Sequence, residues 1–410
     1  MRILYSIGIA FYTLGIRIAA LFGHDKARRM VMGWRDSLTP FAHRQGPVAW
    51  FHASSLGEFE QARPVLEAWR AAHPTGAVVV TFFSPSGYEV RKNYPLADVV
   101  RYLPPDSKRN ARRLVENMQP SVVFFVKYDF WYNCLAELRR HSIDTYLISA
   151  IFRPRQYFFR PWGIWFRRQL DDCFTTIFVQ NEESLALLRS NGIVRSRLAG
   201  DTRYDRVHQI AAASEPDAVV EQWLNRCGND FPVVVAGSTW PPDEDLLAAC
   251  RRKVRLVLAP HVISDDHLEA IARRFPHSVR YSQLKEGSAD MAASEVLVID
   301  NIGLLSRLYR YADVAYIGGG FGVGIHNTLE AVAFGKPVLF GPNYRKFQEA
   351  CDLVEMGGGF THTTQDELDE HLGLLLDDAQ ALAAASDACR RLMQRNLGST
   401  DIILGTIEKK

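Results

Sequence analysis

Short apolar runs alternate with helical patterns along most of this chain. The runs are four to seven residues long and rich in β-branched and aromatic residues, and several end at turns of glycine, serine or proline. Buried parallel strands read as continuous apolar runs, and helices connect them through right-handed crossovers. The predicted strands are 47–53, 77–83, 122–126, 145–149, 176–179, 233–236, 255–259, 296–300, 312–317 and 337–340. The sequence therefore predicts an α/β fold with parallel sheets.

The alternation pauses once, near residues 204–215, and then resumes. A chain of 410 residues is also too long for one ordinary hydrophobic core. We therefore predict an N-terminal segment, 1–46, followed by Rossmann-like domains at 47–207 and 208–410. Two such domains facing each other would form a central cleft at the carboxyl ends of their strands, where open parallel sheets place ligands.

Composition excludes several classes of protein. The net charge is +2, which argues against a nucleic-acid-binding protein. The cysteines, Cys134, Cys173, Cys227, Cys250, Cys351 and Cys389, include no C-x-x-C pair. This spacing argues against a structural zinc site and a disulfide framework, and it fits a reducing cytoplasm.

The first twenty-two residues suggest a membrane anchor. Residues 3–22 are mainly apolar and roughly long enough to cross a bilayer, and a basic cluster at Lys26, Arg28 and Arg29 follows them. Positive charge after the run places the remaining chain in the cytoplasm, and no A-x-A site indicates a cleaved signal peptide. Arg17 would be costly inside the bilayer, so a helix lying in the membrane interface competes with the favoured spanning helix. The basic residues of 1–44 are Arg2, Arg17, Lys26, Arg28, Arg29, Arg35 and Arg44, against Asp25 and Asp36.

The glycine-rich stretch 318–330 predicts an anion site. Gly319 and Gly320 follow an apolar strand and allow close approach of a phosphate, and a helix starting near His326 would direct its N–H groups at that phosphate. Glu330 lies four residues beyond His326 and would share a face of the first helical turn, where it could bind a ribose. The alternative is a loop that merely needs glycine for positive φ angles.

Two carboxylates follow strands of the first predicted domain. Glu58 comes after Ser55 and Gly57 and could act as a general base, or it could only complement the dipole at the start of a helix. The neighbouring serines could simply cap that helix. Asp129 follows the strand 122–126 and could be a ligand or an alternative base, or it could cap the next helix.

A second cradle for an anion is predicted at Gly237, Ser238 and Thr239, after the first strand of the second domain. The acidic pair Asp243 and Asp245 has the D-x-D spacing of metal-dependent glycosyltransferases. Prolines before the acids and an apolar run after them favour a helix N-terminus instead.

Arginines and aromatic residues alternate between Ile151 and Leu170, beginning with Arg153. This mixture suits lipid headgroups and the membrane interface. A platform for single-stranded nucleic acid has the same ingredients but fits the near-zero net charge less well. An ordinary packed helix whose arginines extend to solvent is the third interpretation.

Taken together, the motifs resemble the Kdo transferase family of lipid A biosynthesis over nearly the whole chain. The matching segments are His52–Glu58, Ser84–Gly87, Tyr102–Asp106, Asp129–Asn133, Gln180–Glu183, Gly200–Asp205, Gly237–Thr239, His326–Glu330 and Gly341–Pro342.

The resemblance implies a GT-B glycosyltransferase that inverts the anomeric centre and needs no metal or cofactor. It moves 3-deoxy-D-manno-octulosonic acid (Kdo) from CMP-Kdo to a lipid A precursor on the cytoplasmic face of the inner membrane, with no nucleic-acid partner. Glu58 matches the general base, and Asp129 and Arg203 are candidates for the cleft.

On the donor side, the resemblance assigns Asn327 and Glu330 to the CMP portion and Gly237, Ser238 and Thr239 to a second loop. An arginine expected next to His261 is missing, so His261 is a candidate substitute. Two alternatives are another GT-B enzyme, such as a nucleotide-sugar epimerase or a UDP-sugar transferase, and an inert lipid- or nucleotide-binding protein with the same fold.

Overall fold

The computed structural model describes residues 1–40, 46–226, 231–287 and 294–408; Arg44 and Cys227 lie outside this range. Within it, the strands form two parallel sheets of seven strands each. The strands are β1 (Val48–Ala53), β2 (Ala77–Phe82), β3 (Val99–Tyr102), β4 (Val122–Val126), β5 (Asp144–Ala150), β6 (Thr176–Val179), β7 (Ser196–Leu198), β8 (Val233–Thr239), β9 (Arg255–Pro260), β10 (Ser278–Arg280), β11 (Val296–Val298), β12 (Val314–Ile317), β13 (Val338–Phe340) and β14 (Gly359–Thr361).

Helices connect successive strands. They are α1 (Arg2–Leu21), α2 (Asp25–Gly33), α3 (Leu56–Ala72), α4 (Pro85–Arg91), α5 (Lys108–Met118), α6 (Tyr132–Arg140), α7 (Ile164–Cys173), α8 (Glu182–Ser190), α9 (Thr202–Ala212), α10 (Ala218–Arg226), α11 (Pro241–Ala248), α12 (Asp265–Arg274), α13 (Tyr281–Glu286), α14 (Leu305–Leu308), α15 (Leu329–Val332), α16 (Gln348–Met356), α17 (Gln365–Asp377), α18 (Ala379–Asn396) and α19 (Ser399–Ile407). Short 3-10 helices cover Tyr157–Phe159, Pro161–Gly163 and Tyr309–Tyr311.

The predicted α/β class with two Rossmann-like sheets is confirmed. The orders are β3-β2-β1-β4-β5-β6-β7 and β10-β11-β9-β8-β12-β13-β14. Each predicted strand has an observed counterpart, but β3, β7, β10 and β14 were not predicted. All four lie at sheet edges and have only three or four residues, so they lack the long apolar run that marks a central strand.

Hydrophobic residues of the first sheet point alternately into two cores. Trp50 and Phe125 pack on one face with α5 to α8, whereas Phe51 and Phe124 pack on the other face with α3. Because both faces are covered, all six residues of β1 are buried, and polar side chains concentrate at the ends of the strands.

The chain divides into two compact units, 1–206 with 397–410, and 207–396. This division differs from the predicted domains 47–207 and 208–410 at the C-terminal end. Ile403 of α19 is buried in a core of the first unit. Asp205 also accepts hydrogen bonds from Gly398 N (2.8 Å) and Thr400 N (2.7 Å), which satisfies backbone donors at the start of α19. The division falls within α9, inside the predicted linker region.

Helix α1 is long and apolar enough to cross a membrane, and it contains no buried residue. Its first turns contact the first unit. The Tyr5 hydroxyl donates to Asp106 (2.7 Å), and Asn133 and Ser6 share hydrogen bonds.

Candidate active site

The carboxyl edge of the first sheet brings together four predicted residues: Ser55, Gly57, Glu58 and Asp129. Strands β1 and β4 are neighbours, and the segments after them contact each other directly. Gly57 has no close contact that would exclude a side chain, so any role for it remains a prediction.

Glu58 lies in the first turn of α3, and Ser55 is the N-cap residue. The Ser55 hydroxyl donates to Glu58 Oε2 instead of capping the helix with its side chain. The helix N-terminus stabilises a negative charge at this position. The Glu58 side chain is only half-buried. An accessible carboxylate is therefore held at the edge of the sheet, which suits both the helix-start interpretation and the predicted base.

Asp129 lies behind this turn. It does not cap α6, whose N-cap residue is Trp131. Its carboxylate accepts from Ser54 N (2.9 Å) and Ser54 Oγ (2.5 Å), and its side chain is 14 % exposed. Burial raises the pKa of Asp129 to about 7, and the charge of Glu58 adds to the increase. Asp129 thus fixes the turn that carries Glu58.

A buried histidine supports the same edge. His52 Nε2 accepts from the Trp131 indole N–H (2.9 Å), which donates only, so His52 carries its proton on Nδ1 beside Thr81. Burial lowers the pKa of His52 to about 3. Although His52 Nε2 lies 3.6 Å from Asp129, the neutral ring supplies no positive charge to that carboxyl. The contact between His52 and Trp131 was not predicted, although a lone histidine inside an apolar strand could have indicated a buried polar contact there.

The Asp129→Asn variant should gain stability relative to the wild type as the pH rises. The folded state raises the pKa of Asp129 from 3.8 to about 7, so ionisation of this carboxyl costs folding energy between these values. Asparagine avoids that cost. We expect the difference in unfolding free energy to shift by about 4 kcal/mol between about pH 4 and about pH 8. Urea unfolding at both pH values tests this, and a difference independent of pH would contradict it.

Arg203 is held by an ion pair. Its guanidinium contacts Asp201 Oδ2 (2.8 Å), and Asp201 also accepts from Gln61 Nε2 (3.2 Å), one helical turn beyond Glu58. Burial would raise the pKa of Asp201, but the charge and hydrogen bonds of Arg203 lower it. The contact with Gln61, which was not predicted, places this pair beside α3.

Most rings of the arginine-rich segment belong to the core. Phe152 and Phe158 are buried, and Trp165 and Phe166 pack against the same core. Arg153 is exposed, as is Trp162. The packed interpretation therefore holds for most of these rings, but the segment is not one helix, because α7 begins only at Ile164 after two short 3-10 helices.

In the second unit, Gly237, Ser238 and Thr239 form the carboxyl end of β8. Ser238 has a φ of 55°, and the pairing with β9 shifts register there. A Cβ at Gly237 would collide with the Tyr309 hydroxyl. The Thr239 side chain is buried and donates to Glu244 (3.2 Å), whereas Ser238 is half-buried. Of the two predicted hydroxyls, that of Ser238 is therefore the more accessible.

The glycine-rich loop is tightly packed against its surroundings. Gly319 has a φ of 93°, and its N–H donates to Asp243 Oδ2 (2.9 Å). A Cβ at Gly320 would lie 2.6 Å from the backbone of Gly341. Asp243 also accepts from Trp240 N (2.9 Å) at the start of α11. The helix-start interpretation of the D-x-D segment is thereby confirmed, and Asp243 additionally shapes the loop.

The predicted helix starts later than expected. Helix α15 begins at Leu329, and His326 lies in the preceding loop, where its N–H donates to Gly318 O (3.1 Å). The prediction that His326 and Glu330 share a helical turn is therefore wrong, because the loop folds back on its own start. Glu330 instead accepts from Asn327 Nδ2 (3.0 Å), which brings these two predicted residues together.

Three heterocyclic side chains meet at this edge. Trp240, His261 and His326 follow the adjacent strands β8, β9 and β12. His261 stacks with Trp240 (ring centroids 4.8 Å) and with His326 (4.3 Å), and the Trp240 N–H donates to His326 Nε2 (3.1 Å). Burial, and then the proximity of His261, lower the pKa of His326. Of these three residues, only His261 was predicted as a site residue, because contacts between residues so far apart in the chain form only in the fold.

Residues 28–206 match the family described as 3-deoxy-D-manno-octulosonic-acid transferase (kdotransferase). A Bordetella pertussis 3-deoxy-D-manno-octulosonic acid transferase is 26 % identical over 98 % of this chain and 99 % of its own length. The chain resembles the Kdo transferase family over nearly its whole length. A second relative, from Chlamydophila psittaci, is 26 % identical over 77 % of this chain and 74 % of its own length. These relatives support a glycosyltransferase.

The fold agrees with this similarity. The UDP-GlcNAc 2-epimerase of Neisseria meningitidis, solved with UDP-GlcNAc bound, superposes with a TM-score of 0.61 over 88 % of this chain and 100 % of its own chain. At 15 % sequence identity, this similarity shows the shared GT-B fold alone. The fold of this chain thus also occurs in an epimerase, so the fold does not by itself decide the activity.

Proposed function

We propose that the protein is an inverting, metal-independent transferase that moves Kdo from CMP-Kdo to a lipid A precursor in lipopolysaccharide inner-core synthesis. Similarity to the Kdo transferase family supports the Kdo transfer. The observation that carries the catalytic part is the Glu58 carboxylate, which is accessible at a strand edge and fixed by Ser55 and a helix N-terminus.

In the proposed reaction, Glu58 accepts the proton of an acceptor hydroxyl as its oxygen attacks the anomeric carbon of Kdo. The bond from that carbon to the CMP phosphate breaks, and CMP leaves with the bonding electron pair. A single displacement of this kind inverts the anomeric centre. A carboxylate in hydrogen-bond contact with the hydroxyl can act as this general base.

The second unit is proposed to bind the donor, CMP-Kdo. The charge that develops on CMP needs preorganised donors. The candidates are the backbone near Gly320 and the side chains of Ser238 and His261 at the carboxyl edge of the second sheet. Asn327 and Glu330, which are hydrogen-bonded to each other, are proposed to contact the nucleoside.

The proposed location is the cytoplasmic face of the inner membrane, with α1 as the single anchor. The length and apolar composition of α1, together with its lack of buried residues, support an anchor. The exposed residues Lys26, Arg28 and Arg29 beyond it support the cytoplasmic side.

Transfer is tested with purified protein, freshly generated CMP-Kdo and tetraacylated lipid A precursor. We expect a lipid product whose mass has increased by one or more Kdo residues. Competition between CMP and UDP for the protein should favour CMP. Preference for UDP without a Kdo-bearing product would support a UDP-sugar enzyme instead, and nucleotide binding without any turnover would support an inert binding protein.

A further inference from the structure

Helix α1 exposes a continuous apolar stripe. The stripe consists of Leu4, Ile7, Phe11, Leu14, Ile18 and Leu21, all of which are exposed. Their spacing of three and four residues lines one side of a helix along its whole length. A soluble protein buries such a side against its own core, whereas α1 turns it outward.

The opposite side of α1 contacts the first unit through polar groups. Tyr5 donates to Asp106, which is 3 % exposed and also accepts from Asn133 N (2.9 Å). Arg2 donates to Asn133 Oδ1 (3.3 Å), and Asn133 donates to Ser6 Oγ (3.2 Å). These buried partners fix the first two turns of α1 on the surface of the unit.

The contact continues beyond the middle of the helix. The Tyr12 ring stacks on Phe83 with centroids 6.1 Å apart. Residues 13–21 alone would extend about 14 Å, against a hydrocarbon core of about 30 Å. Helix α1 therefore cannot cross a bilayer while it keeps these contacts.

The placement of Arg17 agrees with this geometry. Arg17 lies about 100° around the helix from Ile18 and one turn beyond Thr13, outside the apolar stripe. In a spanning helix its charge would lie within the hydrocarbon region, whereas beside an outward stripe it can reach the headgroups.

Two further features suit an anionic membrane surface. Helix α2 contacts α1 and exposes Lys26, Arg28 and Arg29. Near the start of α1, Tyr5 packs on Tyr132 (5.1 Å), the Tyr132 and Tyr157 hydroxyls are 2.9 Å apart, and Tyr157 stacks with Trp162, which is 62 % exposed. Exposed tryptophan and basic residues near a membrane-binding helix are typical of interfacial binding.

We propose that α1 binds the membrane lengthwise, in the plane of the interface, with its apolar stripe in an anionic bilayer surface and its polar side clasped to the first unit through Asp106 and Asn133. This inference rests on the proposed membrane location and replaces the spanning helix favoured by hydropathy with the interfacial alternative. The bilayer then lies against the first unit, which carries Glu58, the residue proposed to accept a proton from the lipid acceptor.

Depth measurements on the full chain test the orientation. An environment-sensitive fluorophore is attached at Leu4→Cys, Phe11→Cys or Ile18→Cys, with Cys227, Cys250 and Cys351 replaced by serine. The protein is added to vesicles of phosphatidylethanolamine and phosphatidylglycerol. We expect similar shallow depths at all three positions, and complete quenching by an impermeant reagent added outside. A deep label at position 11 with a protected label at position 4 would establish a spanning helix and overturn the inference.

A matched pair of variants provides a second measurement. Leu14→Asp, within the stripe, should weaken vesicle binding about tenfold or more, because it places a charge on the lipid side. Leu374→Asp makes the same change at an exposed leucine of α17 in the second unit, and it should leave binding nearly unchanged. Equal effects of the two changes would overturn the proposed face. Transfer to detergent-dispersed acceptor is measured separately, so an active enzyme that does not bind vesicles would refute this inference and leave the proposed function intact.

Discussion

The Glu58→Gln variant should transfer Kdo about 10²–10⁴-fold more slowly than the wild type. Glutamine keeps the size of the side chain and can still accept a hydrogen bond from Ser55, but it cannot take a proton from an acceptor hydroxyl. The donor is proposed to bind the second unit, so this variant changes no proposed donor contact. The affinity for CMP should therefore remain within a factor of about two. Product formation by mass spectrometry and CMP binding by calorimetry measure the two quantities.

Glu60→Gln is the matched control. Glu60 lies two residues further along α3 and pairs with Arg63 and Arg91 on the surface of the unit. Losing such pairs costs little, about 0–1 kcal/mol. Its activity should therefore be nearly normal. If Glu58→Gln is as active as this control, Glu58 is not the base.

The Gly320→Ala variant should destabilise the second unit by about 3 kcal/mol and weaken CMP binding at least tenfold. The new Cβ would lie 2.6 Å from Cα and N of Gly341, and backbone atoms cannot move aside as a flexible side chain can. The segments after β12 and β13 would have to separate, which deforms the loop proposed to hold the donor. Thermal unfolding and CMP titration measure the two effects.

The same substitution two residues later gives the control. A Cβ at Gly322 would meet only the Gly319 carbonyl oxygen at 3.7 Å, an ordinary contact. Gly322→Ala should therefore change stability by less than about 0.5 kcal/mol. Equal and small effects of both alanines would show that the close approach at Gly320 is unimportant for the fold and for the donor.

The glycine loop illustrates where sequence reasoning about the site succeeded and where it failed. Glycines after an apolar strand correctly indicated a turn that requires glycine, because Gly319 has a positive φ and Gly320 touches the backbone of Gly341. The approach of a phosphate to this turn stays a prediction. The predicted start of the helix was wrong, because the loop first returns to Gly318, whose carbonyl accepts from His326 N, and α15 begins only at Leu329. The role of Asp243 in holding Gly319 was also hidden, since the two residues are far apart in the chain.

The sequence by itself determined the central strands, because a strand covered on both faces must be a continuous apolar run. It also located the turns after those strands, where glycine, serine and carboxylate residues gather. Only the tertiary structure decided the edge strands, the burial of Asp129 behind Ser54, and the orientation of α1. Each of these depends on contacts between residues distant in the chain, and hydropathy records how apolar a helix is but not which side its neighbours cover.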